Sequence, residues 1–226
     1  MTVKALTFDI IGTVFDWFGS FSAAVPPLAK QYGFKLDPVT FATGAVEGYA
    51  TGVATVLQGG EWTPPDDILR NSIRALLSGD RAPSSAEVEA FFGIWQSLNP
   101  WSDVAHSLQA LNQRFTLAIL SNMSSATQAA LASHSGLPFD RMLSAESVRS
   151  YKPNPAVYKM ATSRLGLRPD EIMMVAAHDY DLKASQSEGF RTAYIARKGE
   201  IGTPDASFDI NVPTFNDLTE RLAEFP

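Results

Sequence analysis

Four short apolar runs bounded by polar or turn residues punctuate the chain: VKALTFDI (3 to 10), FTLAILSN (115 to 122), IMMVAAH (172 to 178) and RTAYIAR (191 to 197). They lack the period-two alternation of a half-exposed strand and suit strands buried on both faces of a parallel sheet. Between them SSATQAALASHSG (124 to 136), NPAVYKMATSRLGL (154 to 167) and DYDLKASQSEGF (179 to 190) read as helices, with Gly166 and Gly189 as stop signals. Strands alternating with helices predict an α/β fold with a doubly wound parallel-sheet core. From about Trp17 to Asn99 the periodicity is helical, with no convincing strand and with breaks at GFKLDP, GGEWTPP and GDRAPSS. Residues 15–99 are therefore expected to form an inserted helical cap, with LNPWSD (98 to 103) as the return hinge. Residues 1–14 and 100–226 make up the core, and no repeat or low-complexity tract interrupts it.

Composition narrows the partners. At 226 residues, 45% of them hydrophobic, the chain can bury a substantial core. A net charge of -6, a pI near 5.0 and no basic run argue against a nucleic-acid partner. No apolar stretch approaches a signal peptide or a membrane span, so no membrane partner is expected. The absence of cysteine removes disulfides and thiolate metal sites together and makes the cytoplasm the default compartment. Oligomeric state stays open, a homodimer included.

The unusual polar residues fall at strand ends. In FDIIGTVFD, Asp9 closes the first run and is followed by Ile10, Ile11, Gly12 and Thr13, so no second acid stands nearby. Ser121 and Asn122 end the second run; Ala177, His178 and Asp181 follow the third; Lys152 in SYKPNP precedes a helix started by Pro153, Asn154 and Pro155. Ligands of open parallel sheets bind beyond the carboxyl ends of the strands, and the conjunction at that edge is the signal. Taken singly, each residue has a plain structural role. Asp9 would be a turn residue, Ser121 and Asn122 a helix cap, Asp181 a carboxylate favoured by a helix N-terminus, Lys152 a salt-bridging lysine and His178 a hydrogen-bonding one. His106 and His134 fit surface or helix-end positions, and Asp66, Asp67 and Asp80 with the nearby arginines fit a solvated cap face. Most aromatic residues of the cap should be core, while Trp17, Trp62 and Tyr180 are the candidates to wall a small apolar pocket.

FDIIGTVFD, ILSNMSS, YKPNPAVY and VAAHDYDLKAS, in that order, resemble the four motifs of the haloacid dehalogenase superfamily, with the cap inserted after the first. The wording of SYKPNPAVYKMA and AHDYD is most similar to the L-2-haloacid dehalogenase branch. The resemblance implies a hydrolase acting on short 2-halo acids, (S)-2-haloacid dehalogenation being the leading expectation, through an ester on Asp9. A small organic acid would be the substrate, with no cofactor and no metal. Phosphatases of the superfamily carry a second Asp where this chain has Ile11 and an acidic metal ligand where it has Ala177. A halide leaves unprotonated, so a lone nucleophilic carboxylate suffices. By the same resemblance Thr13 would hold Asp9 in line, Lys152 would keep it ionised, and Asp181 would prepare water and anchor Lys152. Ser121 would bind the substrate carboxylate, Asn122 would help to receive the leaving group, and Tyr158 would bond to Lys152 or to the substrate acid. His178 stands where the branch commonly has Asn, and Ile11, where it usually has Tyr, would shape the pocket. The branch's early-cap arginine has no counterpart before Arg70, leaving Arg70 and Arg74 as candidates. Hydrolysis of another carbon electrophile such as an epoxide, magnesium-dependent phosphoryl hydrolysis and binding without turnover remain as alternatives.

Overall fold

In a computed structural model, residues 2–225 are described apart from Asp80, so the reading of Asp80 as part of a solvated face lies outside the described residues. The first apolar run gives β1 (Ala5–Phe8), which is followed by a two-residue strand, β2 (Phe15–Asp16). Four helices come next: α1 (Trp17–Tyr32), α2 (Pro38–Leu57), α3 (Pro65–Leu77) and α4 (Ser85–Trp95). A second two-residue strand, β3 (Asn99–Pro100), leads to α5 (Val104–Leu111) and β4 (Thr116–Ser121). The chain continues through α6 (Ser125–Ser135), β5 (Arg141–Ser144), α7 (Pro155–Leu165), β6 (Ile172–Ala176) and α8 (Asp179–Ser187). It ends with β7 (Arg191–Ile195), β8 (Ile210–Val212) and α9 (Phe215–Glu224).

Among the described residues six strands form a parallel sheet in the order β5-β4-β1-β6-β7-β8. The chain builds outward from β1 to β5 and then crosses to β6 on the other side, so the order reverses around β1 and opens a crevice at its carboxyl end. Alternate strand residues feed two cores. Leu6, Phe8, Ile119 and Val175 pack with α5, α6 and α9 through Leu108, Leu131 and Leu218, whereas Leu120, Met174 and Ala176 pack with α7 and α8 through Val157 and Leu182. Helices on both faces make the sheet doubly wound, as the alternation of runs predicts. β5 and β8 are absent from that pattern because they are short, and β5 begins with exposed Arg141 and Met142 rather than with an apolar run.

The helices between β2 and β3 owe their boundaries to local chemistry. Gly33, at φ 74°, ends α1 in the left-handed region. Asp37 and Ser84 cap α2 and α4, the latter in a reciprocal capping box with Glu87. Gly44, Gly48 and Gly52 bring one face of α2 against Leu76, Ser72 and Ile68 of α3. Where the chain leaves and re-enters the neighbourhood of the sheet, β2 and β3 pair antiparallel, Asp16 opposite Asn99.

Candidate active site

Asp9 extends the β1 ladder by donating its N–H to the Val175 carbonyl at 3.0 Å, after which the backbone folds into a tight turn. The turn is clamped from outside: Trp101 Nε1 donates to the Gly12 carbonyl at 2.9 Å and Arg197 Nε to the Thr13 carbonyl at 3.0 Å. Arg197 is in turn paired with Asp103 at 3.0 Å. Thr13, fully buried, accepts the Ala177 N–H at 2.9 Å and donates its hydroxyl to Asp9 Oδ2 at 2.9 Å. Lys152 places its ammonium 3.4 Å from Asp9 Oδ1 and 2.7 Å from Asp181 Oδ2. Behind it Tyr158 donates to Asp181 Oδ1 at 2.6 Å.

Burial alone would favour the protonated form of Asp9, but the Lys152 ammonium, with His178 and the Thr13 hydroxyl, outweighs it and holds the carboxyl well below the usual carboxylate range. For Asp181 the balance goes the other way: burial dominates and raises its pKa despite Lys152, with the charge of Asp9 adding to the rise.

His178 lies two residues beyond β6 at the N-cap position of α8, where its side chain makes no capping hydrogen bond. Its Nδ1 lies 3.1 Å from Asp9 Oδ2, and its Nε2 lies 2.9 Å from Glu200 Oε2. Burial disfavours the imidazolium, yet hydrogen bonds to the two carboxylates prevail and push the histidine up to about 10. Glu200 also accepts from Trp17 Nε1 at 2.8 Å, joining the start of α1 to the loop after β7. That loop sits close because two glycines let it. A Cβ on Gly12, at φ 76°, would collide with the Glu200 carboxylate, and one on Gly202 would collide with the Ala177 carbonyl. Sequence reasoning missed Glu200; its signal was KGEIG, an acid between glycines just past the carboxyl end of a predicted strand.

These groups open on a cavity of about 520 Å³ lined by Asp9, Ile11, Ser121, Asn122, Lys152, His178 and Glu200 on the sheet side. One face of α2 supplies the opposite wall, from Val46 through Tyr49 and Val53 to Leu57, with Trp17, Trp95 and Tyr180 beside it. Ser121 Oγ accepts the Met123 N–H at 3.2 Å, which leaves its own hydroxyl proton available. Asn122 Oδ1 accepts the Lys152 N–H at 2.7 Å, so its amide nitrogen is the remaining donor. Four expectations change. Tyr158 is fully buried, lies outside the cavity lining and meets Asp181 rather than Lys152. Trp62 stacks on Tyr151 at 5.0 Å instead of walling the pocket. Arg70 is taken by Glu89 at 2.7 Å and lies over the Phe92 ring, Arg74 is exposed beside Asn71, and neither lines the cavity. Asp66 is no solvated bystander: it accepts from Ser124 Oγ at 2.8 Å and Thr127 Oγ1 at 3.0 Å, tying α3 to the start of α6. His106 and His134 are exposed on α5 and in the last turn of α6.

The sequence pattern of the haloacid dehalogenase-like hydrolases matches residues 3–188. The chain belongs to that family. Within it, the chain is 31% identical over 210 residues to an (S)-2-haloacid dehalogenase of Pseudomonas sp. (strain YL), covering 88% of this chain and 85% of the relative. The crystal structure of the L-2-haloacid dehalogenase PA0810 matches with a TM-score of 0.92 at 33% identity, over 98% of this chain and 99% of that one. That of the defluorinating L-2-haloacid dehalogenase Rha0230 matches with a TM-score of 0.93 at 31% identity, over 98% and 95%. The phosphatase pattern weighed above would need an acidic metal ligand, and the donor set here does not fit a metal ion. Ile11 and Ala177 supply no side-chain oxygen, Asp181 is held by Lys152 and Tyr158, and Asp179 pairs with Lys183 at 2.8 Å. Among the described residues no group of His, Asp and Glu side chains is arranged to hold a metal ion.

Proposed function

We propose that this hydrolase cleaves the carbon–halogen bond of short 2-halo carboxylic acids through an ester on Asp9. The observation that carries the reading is a lone carboxylate kept ionised between Lys152 and His178 in a largely apolar cavity, with Ile11 where an acid for an alcohol leaving group would stand. A desolvated carboxylate beside fixed cations is poised to displace a halide, which needs no proton. Ser121 and Asn122, at the carboxyl end of β4, are the groups we assign to the substrate carboxylate and the leaving halide. Lys152 holds the charge of Asp9, and Asp181, buried behind it, holds Lys152 and serves the water of the second step; Tyr158 fixes Asp181 in place. Ile11 and the α2 face shape the substrate pocket. Relatives named for (S)-2-halo acids direct the choice of enantiomer.

In the same reading residues 15–99 are a cap whose two connections to the core run through β2 and β3. Cytoplasmic residence, favoured by the lack of cysteine, and a homodimer belong to the proposal too; light scattering on the purified chain decides the latter. No helix among the described residues is long and apolar enough to cross a membrane.

A single turnover in heavy-oxygen water with excess enzyme tests the chemistry. An ester mechanism gives a first product without label and places heavy oxygen in Asp9, whereas direct attack by water labels the product in the first cycle. Fully labelled product at first turnover overturns the reading.

A further inference from the structure

We infer that His178, held in place by Glu200, is an oxyanion-stabilising donor for the second half of the reaction, the hydrolysis of the Asp9 ester. The inference rests on the ester mechanism proposed above. Its starting point is that the two oxygens of Asp9 are not equivalent. Oδ2 accepts from Thr13 Oγ1 at 2.9 Å and faces His178 Nδ1 at 3.1 Å, while Oδ1 has the Lys152 ammonium at 3.4 Å. The less engaged Oδ1 is the oxygen free to attack carbon. Oδ2 then becomes the carbonyl oxygen of the ester with both of its donors already in position.

When water adds to Cγ, the electron pair of the Cγ–Oδ2 double bond moves onto Oδ2, between the Thr13 hydroxyl and the imidazolium. Preorganised donors aimed at the atom where charge develops are the requirement for stabilising such an intermediate. Collapse breaks the Cγ–Oδ1 bond, and Oδ1 departs as the hydroxyl oxygen of the 2-hydroxy acid. Of the two protons of the attacking water, one ends on that hydroxyl and the other passes to solvent as Asp9 re-ionises. No oxidant, reductant or further reactant is needed.

Glu200 gains its importance from the change of charge on Asp9. In the free enzyme two carboxylates face the imidazole, one at each nitrogen. Esterification makes Asp9 neutral, and Glu200, 2.9 Å from Nε2, is the carboxylate that remains to keep both ring nitrogens protonated. Tyr180, whose ring centre lies 5.7 Å away, brings no cation or anion of its own at neutral pH, and the nearby Lys152 ammonium sits on the far oxygen of Asp9. Glu200 is a positioning residue; it is itself oriented by Trp17 Nε1 and reaches the ring through the space left by Gly12. In the free enzyme both carboxylates raise the pKa of His178, and only the share from Glu200 carries over to the ester.

The test is rapid-quench kinetics on the full chain with 2-chloropropionate, following halide release, hydroxy acid release and the intact mass of the protein. His178→Ala should release halide in a burst and then stall as the Asp9 ester, with ester hydrolysis slowed about a hundredfold. His178→Asn, which restores a neutral donor, should recover part of the loss and serves also if the alanine variant folds poorly. Glu200→Gln should move the alkaline fall of ester hydrolysis to lower pH, and Glu200→Asp should leave it nearer the wild-type position. Halide release by the wild type with an unchanged ester lifetime in the His178 variants, or an alkaline limb unmoved in Glu200→Gln, overturns this inference alone. A wild type that releases no halide and forms no ester overturns the dehalogenase reading and the inference with it.

Discussion

Lys152 stands nearer to Asp181, at 2.7 Å, than to Asp9, at 3.4 Å. The fully buried carboxylate thus holds the cation more tightly than the one proposed to react. Asp181 is the fixed counterion, and the looser contact leaves Asp9 Oδ1 room to move. Asp181→Asn should therefore remove most turnover and destabilise the fold by about 3 to 5 kcal/mol, the range for breaking one side of a buried pair. Urea denaturation beside halide-release assays checks both, and a well-folded, near wild-type variant would contradict the assignment.

Stability should also carry a signature of His178. Its pKa in the folded state, about 10, lies above the ordinary 6.5, so its contribution is complete below 6.5 and is lost as pH rises toward 10. The stability difference between wild type and His178→Asn, taken from denaturation midpoints, should shrink steadily across that window. Asp9 has the opposite sign: depressed in the folded state, its contribution is present at neutral pH and disappears only in strong acid.

Asp66→Ala removes the shared acceptor of Ser124 and Thr127. The expected cost is about 1 to 2 kcal/mol, read as a lower melting temperature. KM should rise more than kcat falls, because α3 supports the wall formed by α2 and does not touch Asp9. Asp66→Asn, which keeps an oxygen acceptor, should recover part of the stability.

Halide release should survive treatment with EDTA and gain nothing from added magnesium. The reason lies in residue types: Ala177 stands where a magnesium site needs a carboxylate, and Ile11 where phosphoryl hydrolysis needs its general acid. Activity lost with EDTA and restored by magnesium would contradict it.

The sheet and the grouping of Asp9, Thr13, Lys152, Asp181 and His178 were legible because each residue lies within a few positions of a buried strand end or a proline-marked helix start. Their partners were harder to read. For Tyr158 the resemblance offered two partners, Lys152 and the substrate acid, and only the packing of α7 against α8 directs its hydroxyl to Asp181. Arg70 looked free to seek an anion, but Glu89 on the neighbouring helix meets it first. Glu200 lies in an irregular loop, where no periodicity reports direction, and its approach depends on what Gly12 and Gly202 lack. β5 and β8 escaped notice because edge strands of three or four residues need little apolar surface.

The pairing of Asp16 with Asn99 has a consequence for inheritance. Everything from α1 to α4 departs and comes back through one doorway, whose two jambs are neighbouring strands about 5 Å apart. A replacement of any length or floor plan can be hung there, provided that its ends meet, without asking β1 or β4 to shift register. On the proposed mechanism, the carboxylate of Asp9 could then stay unchanged while the wall that faces it is exchanged.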